Sequence, residues 1–433
     1  MLPLAQVLPP SAGLTPEGHL AVGGCDLVAL AEEHGTPLVV YDEGALRAAA
    51  RAYRDAFAAH APDARVVYAS KAYFGLAMLR LALAEGLDVD VASGGELYAA
   101  LRAGFAPERI WAHGNNKDAG EVRALLEARV GQVIVDSLDE IALLARIAGE
   151  LGVRQRVLVR VTPGVKPSTH AYISTGQLDS KFGFSLEGGL AAEALAAVRA
   201  QPELELVGLH CHIGSQLFEL SSYRAAAALL ADFAASVDGD QLMLMNMGGG
   251  LGIAYSRDDR PPPVEDYAET VMGAVAEEWA RVGLRRPQVA VEPGRSVVGR
   301  AGLNLYRVGT VKHIPGVRTY AAVDGGMSDL IRPMLYGARY EVIVANRADA
   351  EATTSLRLVG KHCESGDVLA QEALLPEIEV GDLVCLPATG AYGVAMASNY
   401  NGVPRPAVVF VDEGRSRLVT RRETFAEIVA RDL

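Results

Sequence analysis

Short apolar runs in this chain repeatedly end in residues that can do chemistry. Lys71 closes VVYASK, and Asp90 stands just before VASGGE. HCHIGSQ supplies His210, His212 and Ser215, and MGGGLG supplies Gly248, Gly249 and Gly250. EPGR supplies Glu292, Gly294 and Arg295. A lysine at the end of a buried run is costly to place, because desolvation disfavours its charged form. A covalent task, such as a Schiff base with an aldehyde, would account for that cost. The alternative is a strand–helix boundary with the ammonium in solvent.

The other groups have similar alternatives. Consecutive glycines either let backbone N–H groups close around a phosphate or simply make a tight turn. MGGGLG lacks the G-x-G-x-x-G spacing and acidic partner of a dinucleotide site. His212 is a metal ligand, a base, or a ring laid against an aromatic cofactor. No H-x-H-plus-carboxylate set with metal-site spacing favours the first, so no metal is expected. A buried carboxylate at Glu292 needs a cationic or N–H partner. That partner is either Arg295 or a pyridinium nitrogen, and the second leaves Arg295 to grip a carboxylate with both arms. A lysine for an aldehyde, glycines for a phosphate, a ring to stack and a carboxylate for a pyridinium together describe pyridoxal 5′-phosphate. That cofactor is an electron sink for a carbanion at an amino-acid Cα.

The elements that must position these residues are legible as alternation. Apolar runs recur at 66–69, 89–91, 110–112, 132–135, 157–161, 206–209, 242–245 and 289–291, with Ala/Leu/Arg/Glu-rich helical stretches between most of them. Strands apolar on both faces, separated by helices, predict a parallel sheet. Eight of them suit a closed (β/α)8 TIM-type barrel, whose chemistry sits at the carboxyl ends of the strands, where the residues above fall. The helix slot after the eighth strand is missing or displaced. Beyond residue 300, alternating runs broken by Gly, Pro, Asp and Asn predict a mostly antiparallel β domain. The expected organisation is α/β: an N-terminal segment over 1–42 that contributes to the β domain, a barrel over 43–299 and the β domain over 300–433.

With 433 residues, two domains are the default. A net charge of −13, from 53 acidic against 40 basic side chains, argues against nucleic acid and anionic membrane surfaces as partners. No apolar run is long enough to span a bilayer. The N-terminal stretch has no basic region or cleavage pattern, so no signal peptide is expected. Cys25, Cys211, Cys363 and Cys385 show no C-x-x-C spacing, which favours a reduced, cytoplasmic setting.

The blocks VVYASKA, HAYISTGQLDSKFGF, GLHCHIGSQ, MGGGLGI, EPGRSVV, DGGMSDLIRPMLYGA, CESGDVL and GAYGVAMASNYNG run in order over nearly the whole chain. In these it resembles the diaminopimelate decarboxylase family, of the alanine-racemase-like fold of pyridoxal phosphate enzymes. The resemblance implies that Lys71 holds the cofactor aldehyde and His212 stacks on its ring. Asp90, Ser215, Gly248–Gly250, Gly294, Arg295 and Tyr392 would contact the cofactor, with Glu292 on the pyridine nitrogen. Arg295, Arg332, Tyr336, Glu364 and Tyr392 would form the substrate set. Cys363 would protonate the carbanion, and its acidic neighbours Glu364 and Asp367 favour keeping the proton on sulfur. The resemblance also implies an obligate homodimer in which Cys363 and Glu364 reach the neighbouring subunit's site. Read without it, Cys363 is equally a buried small hydrophobe, Arg332 a surface ion-pair member, and Tyr336 and Tyr392 core aromatics. His170 and SKFGF are motif-like and are expected to form a mobile loop over the site. The combination of Arg295, Arg332 and Glu364 favours diaminopimelate over ornithine, arginine or carboxynorspermidine. A catalytically dead regulator would lack the lysine, glycines or cysteine, and a racemase would need a base on each cofactor face.

Overall fold

The computed structural model describes residues 4–165 and 180–433. The chain divides into two compact units. One comprises Ala50–Gly252 and Pro261–Gly294; the other comprises Met1–Ala49, Ile253–Arg260 and Arg295–Leu433.

The first unit contains an eight-stranded parallel barrel: β1 (Arg65–Ala69), β2 (Asp88–Val91), β3 (Ile110–Ala112), β4 (Gln132–Val135), β5 (Gln155–Thr162), β6 (Leu204–His210), β7 (Leu244–Asn246) and β8 (Gln288–Val291). Neighbours pair in sequence order except around the closure, where β8 pairs β1. The strands form because their apolar residues are buried on both faces. Val67, Trp111, Ile134, Leu158, Val207, Leu244 and Ala290, one from each of seven strands, make a single cluster. Burying each larger member contributes about 1.5–3 kcal/mol. Gly208 lets β6 and β7 approach closely: a Cβ there would lie 1.8 Å from the Leu244 carbonyl oxygen. The helices between strands start on side-chain caps. Ser93, Asp118 and Ser137 each accept from the backbone N–H three residues on. Helices 94–103 and 138–151 end on left-handed Gly104 and Gly152. The slot after β8 holds only the short turn Arg295–Val298.

The second unit is built on a sheet in the order 368–375, 354–359, 318–323, 302–314, 38–42, 407–412, 415–420. The thirteen-residue strand Gly302–Ile314 pairs on one side with Arg318–Val323 and on the other with Leu38–Asp42; it also pairs with Leu383–Leu386. All five residues of Leu38–Asp42 are buried. The pairing is mostly antiparallel, as expected, with two parallel contacts: 318–323 to 354–359 and 38–42 to 407–412. Ile343–Val344 is a two-residue strand paired with Leu383–Leu386. Among the described residues, no helix is long and apolar enough to cross a membrane.

Candidate active site

The carboxyl rim of the barrel gathers most of the residues singled out from the sequence. Lys71 lies in a one-turn helix, Ser70–Ala72, directly after β1. It is exposed, as in the second of the two readings of this lysine: the turn carries the side chain off the buried strand to the rim. Beside it, Asp90 is buried and accepts the Ser70 N–H at 3.0 Å. Burial, then the charge of Glu292, raises Asp90 well above the usual carboxylate range, against the pull of Lys71. His212 is half-buried, and its Nδ1 accepts the Gly249 N–H at 3.3 Å. Burial, reinforced by Lys71, holds it well below the usual imidazole range, so the ring is neutral near pH 7.

Glu292 directly follows β8 and draws its partners from the barrel. Its Oε1 accepts from His113 Nε2 at 2.7 Å and Asn246 Nδ2 at 2.7 Å, and its Oε2 from His210 Nε2 at 3.2 Å. Burial alone would raise its pKa; the charge that His113 and His210 take on when protonated at low pH, with their hydrogen bonds, outweighs burial and holds it well below the carboxylate range. Arg295, the alternative partner, instead donates to the Tyr255 hydroxyl.

The glycine run is a cradle with no room for side chains. A Cβ on Gly248 would lie 2.4 Å from the Cys211 carbonyl oxygen, one on Gly249 2.2 Å from that of Glu292, and one on Gly250 2.5 Å from that of Gly214. Gly248 and Gly250 also hold φ of 67° and 118°, which side chains rarely adopt. The Gly248 N–H donates to Asn246 Oδ1 at 2.9 Å, and its carbonyl accepts the Glu292 N–H at 2.8 Å. Gly294 sits tight against the end of β1, its notional Cβ 2.8 Å from that of Ala69. Ser215 is half-buried in the loop after β6.

The β unit carries a second group. Arg295 and Arg332 are both buried, which sets aside the surface-pair alternative for Arg332. Arg332 donates to the Tyr340 hydroxyl, and its guanidinium lies 4.9 Å from the Tyr255 ring centre. Arg295 lies 4.9 Å from the Tyr392 ring centre and 5.6 Å from that of Tyr255. Tyr255 and Tyr340 pack edge to face at 5.3 Å. Two guanidinium groups among phenols suit a carboxylate. Tyr392 holds φ 63°, a strained backbone for a bulky residue and a common mark of functional sites.

Cys363 is exposed, not a buried small hydrophobe. Its N–H donates to Asn401 Oδ1 at 3.0 Å, and neighbouring His362 bonds Ser328 Oγ at 2.9 Å. Both carboxylate oxygens of Asp367 accept backbone N–H groups, from Met327 at 2.7 Å and His362 at 2.9 Å. Glu364 is exposed as well. In the short helix Arg332–Tyr336, Arg332 points inward, while Met334, Leu335 and Tyr336 are 45–50% exposed. Tyr336 therefore stands apart from the Arg295–Arg332–Tyr392 group.

SKFGF is anchored on β5. Thr162 Oγ1 donates to the Phe182 carbonyl at 2.9 Å, and Arg160 stacks 4.5 Å above the Phe182 ring. His170 lies outside the described residues.

The sequence reading missed His113, Asn246, Tyr255 and Tyr340. Position was the available signal for the first two. His113 follows β3 in HGNNK, and Asn246 ends β7, on the same rim as the residues that were found. The ligand atoms of His113, His210 and Glu292 lie within 4.8 Å of one another, a spacing that could hold a metal ion and that no sequence interval reveals. The contacts of 2.7 and 3.2 Å are nevertheless those of ring N–H groups bonded directly to the carboxylate.

Residues 43–299 match the family described as pyridoxal-dependent decarboxylase, pyridoxal binding domain. The chain is 48% identical over 419 residues to a diaminopimelate decarboxylase of Bacillus subtilis, covering 96% of this chain and 95% of that one. It is 45% identical over 425 residues to one of Mycobacterium tuberculosis, covering 95% and 94%. A crystal structure of diaminopimelate decarboxylase from M. jannaschii in complex with L-lysine superposes with a TM-score of 0.91 at 34% identity, over 98% of each chain. With its barrel, its rim and its full-length likeness to these enzymes, the chain belongs to the diaminopimelate decarboxylase family of pyridoxal-dependent decarboxylases.

Proposed function

We infer that the chain decarboxylates meso-2,6-diaminopimelate to L-lysine and carbon dioxide, the last step of lysine biosynthesis by the diaminopimelate route, with pyridoxal 5′-phosphate as cofactor. The observation that carries this reading is the convergence of Lys71, neutral His212, the glycine cradle and ionised Glu292 on one barrel rim. The residues fit that cofactor. The cradle excludes any Cβ, Lys71 offers an amine, and the Glu292 carboxylate keeps lone pairs for a further donor.

When bound, the cofactor supplies an electron sink for the pair left at Cα as carbon dioxide departs. Lys71 would hold its aldehyde and Glu292 its ring nitrogen, with His212 offering an uncharged imidazole to the ring. Gly248–Gly250, Ser215 and Gly294 would hold its phosphate end, Tyr392 would be a further cofactor contact, and Asp90 fixes the turn that carries Lys71 through the Ser70 N–H. Arg295 and Arg332 take the substrate's distal carboxylate. The distal ammonium would be taken by Glu364, and that subsite bordered by Tyr336, both contributed by a second copy of the chain. Cys363 carries the proton that replaces the carboxylate at Cα. Cys363, Glu364 and the apolar face of Met334, Leu335 and Tyr336 are all exposed, which supports a homodimer in which they complete the site of a second copy.

Carbon dioxide release measured across diaminopimelate, ornithine, arginine and carboxynorspermidine tests the assignment. Diaminopimelate should turn over fastest, and a faster rate with ornithine would overturn the specificity. Lys71→Ala should abolish both turnover and the absorbance of the lysine-bound cofactor.

A further inference from the structure

The partners of Glu292 carry more than the presence of a carboxylate. A carboxylate offers about four lone-pair directions. Oε1 has two donors, His113 and Asn246, whereas Oε2 has one, His210. The remaining direction belongs to Oε2, so one further donor completes the group.

The charge of the two histidines matters as much as their position. The ring centroids of His113 and His210 are 4.9 Å apart at an interplanar angle of 68°. His210 Nδ1 is buried with no hydrogen-bond partner, so a second proton there would have no acceptor. Burial pushes His210 down to about 4 and lowers His113 as well. Each ring therefore donates one N–H and stays neutral. A guanidinium in the same place would grip the carboxylate as firmly but cancel its charge. The nearby Arg160 has a carboxylate of its own, Asp136, at 3.9 Å.

We propose that His113 and His210 are positioning residues that hold Glu292 through neutral donors, leaving Oε2 with an uncancelled negative charge that keeps the cofactor's ring nitrogen protonated. His113 is itself held in register. Its N–H donates to the Val91 carbonyl at 2.7 Å. Four residues on, buried Lys117 ties the same loop to the carbonyls of Gly114 and Ile134 and to Glu140 at 2.7–2.9 Å. The sequence HGNNK thus supplies both the donor and its anchor.

This inference rests on the pyridoxal phosphate reading, and the test separates the two. Pyridoxal 5′-phosphate and its carbocyclic analogue, in which C–H replaces the ring nitrogen, are titrated into cofactor-stripped protein. The ring-nitrogen shift of 15N-labelled cofactor is recorded in parallel. His113→Leu should weaken the natural cofactor on the order of tenfold or more and move the nitrogen shift toward neutral pyridine. It should leave the analogue's affinity within about twofold of the unsubstituted protein, since that ligand never uses the charge. His113→Gln, which keeps a neutral N–H, should restore both readouts, and His210→Gln serves as the second variant. Equal weakening of both ligands by His113→Leu would reduce His113 to a structural residue and overturn the proposal. So would identical behaviour of the Leu and Gln variants. Failure of the unsubstituted protein to bind pyridoxal 5′-phosphate would overturn the cofactor reading itself.

Discussion

Gly249→Ala separates space from backbone conformation at the cofactor cradle. The backbone of Gly249 is not left-handed, so alanine meets no conformational penalty there; the conflict is purely one of room. Its Cβ would lie 2.2 Å from the Glu292 carbonyl oxygen, whereas real Cβ contacts essentially never fall below 3.0 Å. The two strand ends must part by about 0.8 Å to reach even that limit. Neither side is flexible. The Glu292 N–H is bonded to the Gly248 carbonyl at 2.8 Å and the Met247 N–H to Ala290 at 2.9 Å, so the displacement passes directly to the Glu292 side chain. Misplacing a reacting group by about 1 Å costs on the order of 10²-fold in rate, or about 3 kcal/mol of transition-state stabilisation. Gly249→Ala should therefore lower kcat/KM for carbon dioxide release by about that factor and weaken cofactor binding, while its far-UV circular dichroism stays unchanged. Gly13→Ala is the control, because a Cβ there meets nothing within 4 Å. A Gly249→Ala enzyme within threefold of the unsubstituted kcat/KM would refute the reasoning.

Asp329 lies buried against the Tyr306 hydroxyl and the Gly326 N–H, and burial raises it to about 6. The folded state thus binds its proton more tightly than the unfolded chain, and this contribution to stability is lost as pH rises from about 4 to about 6. Asp329→Asn should gain about 3 kcal/mol relative to the unsubstituted protein between pH 4 and pH 7 in urea titrations, and a pH-independent difference would count against the assignment. Lys117→Met leaves Glu140 buried without its cation and should destabilise by about 3–5 kcal/mol. Adding Glu140→Leu should recover most of that loss, and no recovery would show that the two residues are not coupled. Leu335→Asp should shift the protein toward monomer in sedimentation and abolish turnover with cofactor binding intact; an active monomer would remove the case for a shared site.

The barrel was legible because its strands are buried on both faces and so read as uninterrupted apolar runs. Even Val157–Val161 marked the centre of the longer strand Gln155–Thr162. Val368–Leu375, VLAQEALL, escaped notice because its composition is that of a helix; pairing with Thr354–Val359 overrides it. Arg415–Thr420 is an exposed edge strand, RSRLVT, with no apolar alternation to reveal it. At the site, Lys71, Glu292 and the glycines could be read from where strands end. The environment of Lys71 could not, because one turn of helix decides whether an amine is desolvated. His113 follows a strand of only three residues, and its partner lies 179 positions away. Tyr255 and Tyr340 hold arginines across equally silent intervals.

The central place of Leu38–Asp42 in its sheet has a consequence for synthesis. This strand leaves the ribosome about 260 residues before its antiparallel partner Gly302–Ile314 and still earlier than its parallel partner Ala407–Asp412. At translation rates of about 5–20 residues per second it waits roughly 15–50 s with both edges unpaired, while the barrel, complete at Gly294, emerges. The barrel is thus free to fold on the nascent chain, and the β unit closes only near termination. LVVYD is, for that interval, an apolar strand with both edges open to wrong pairing.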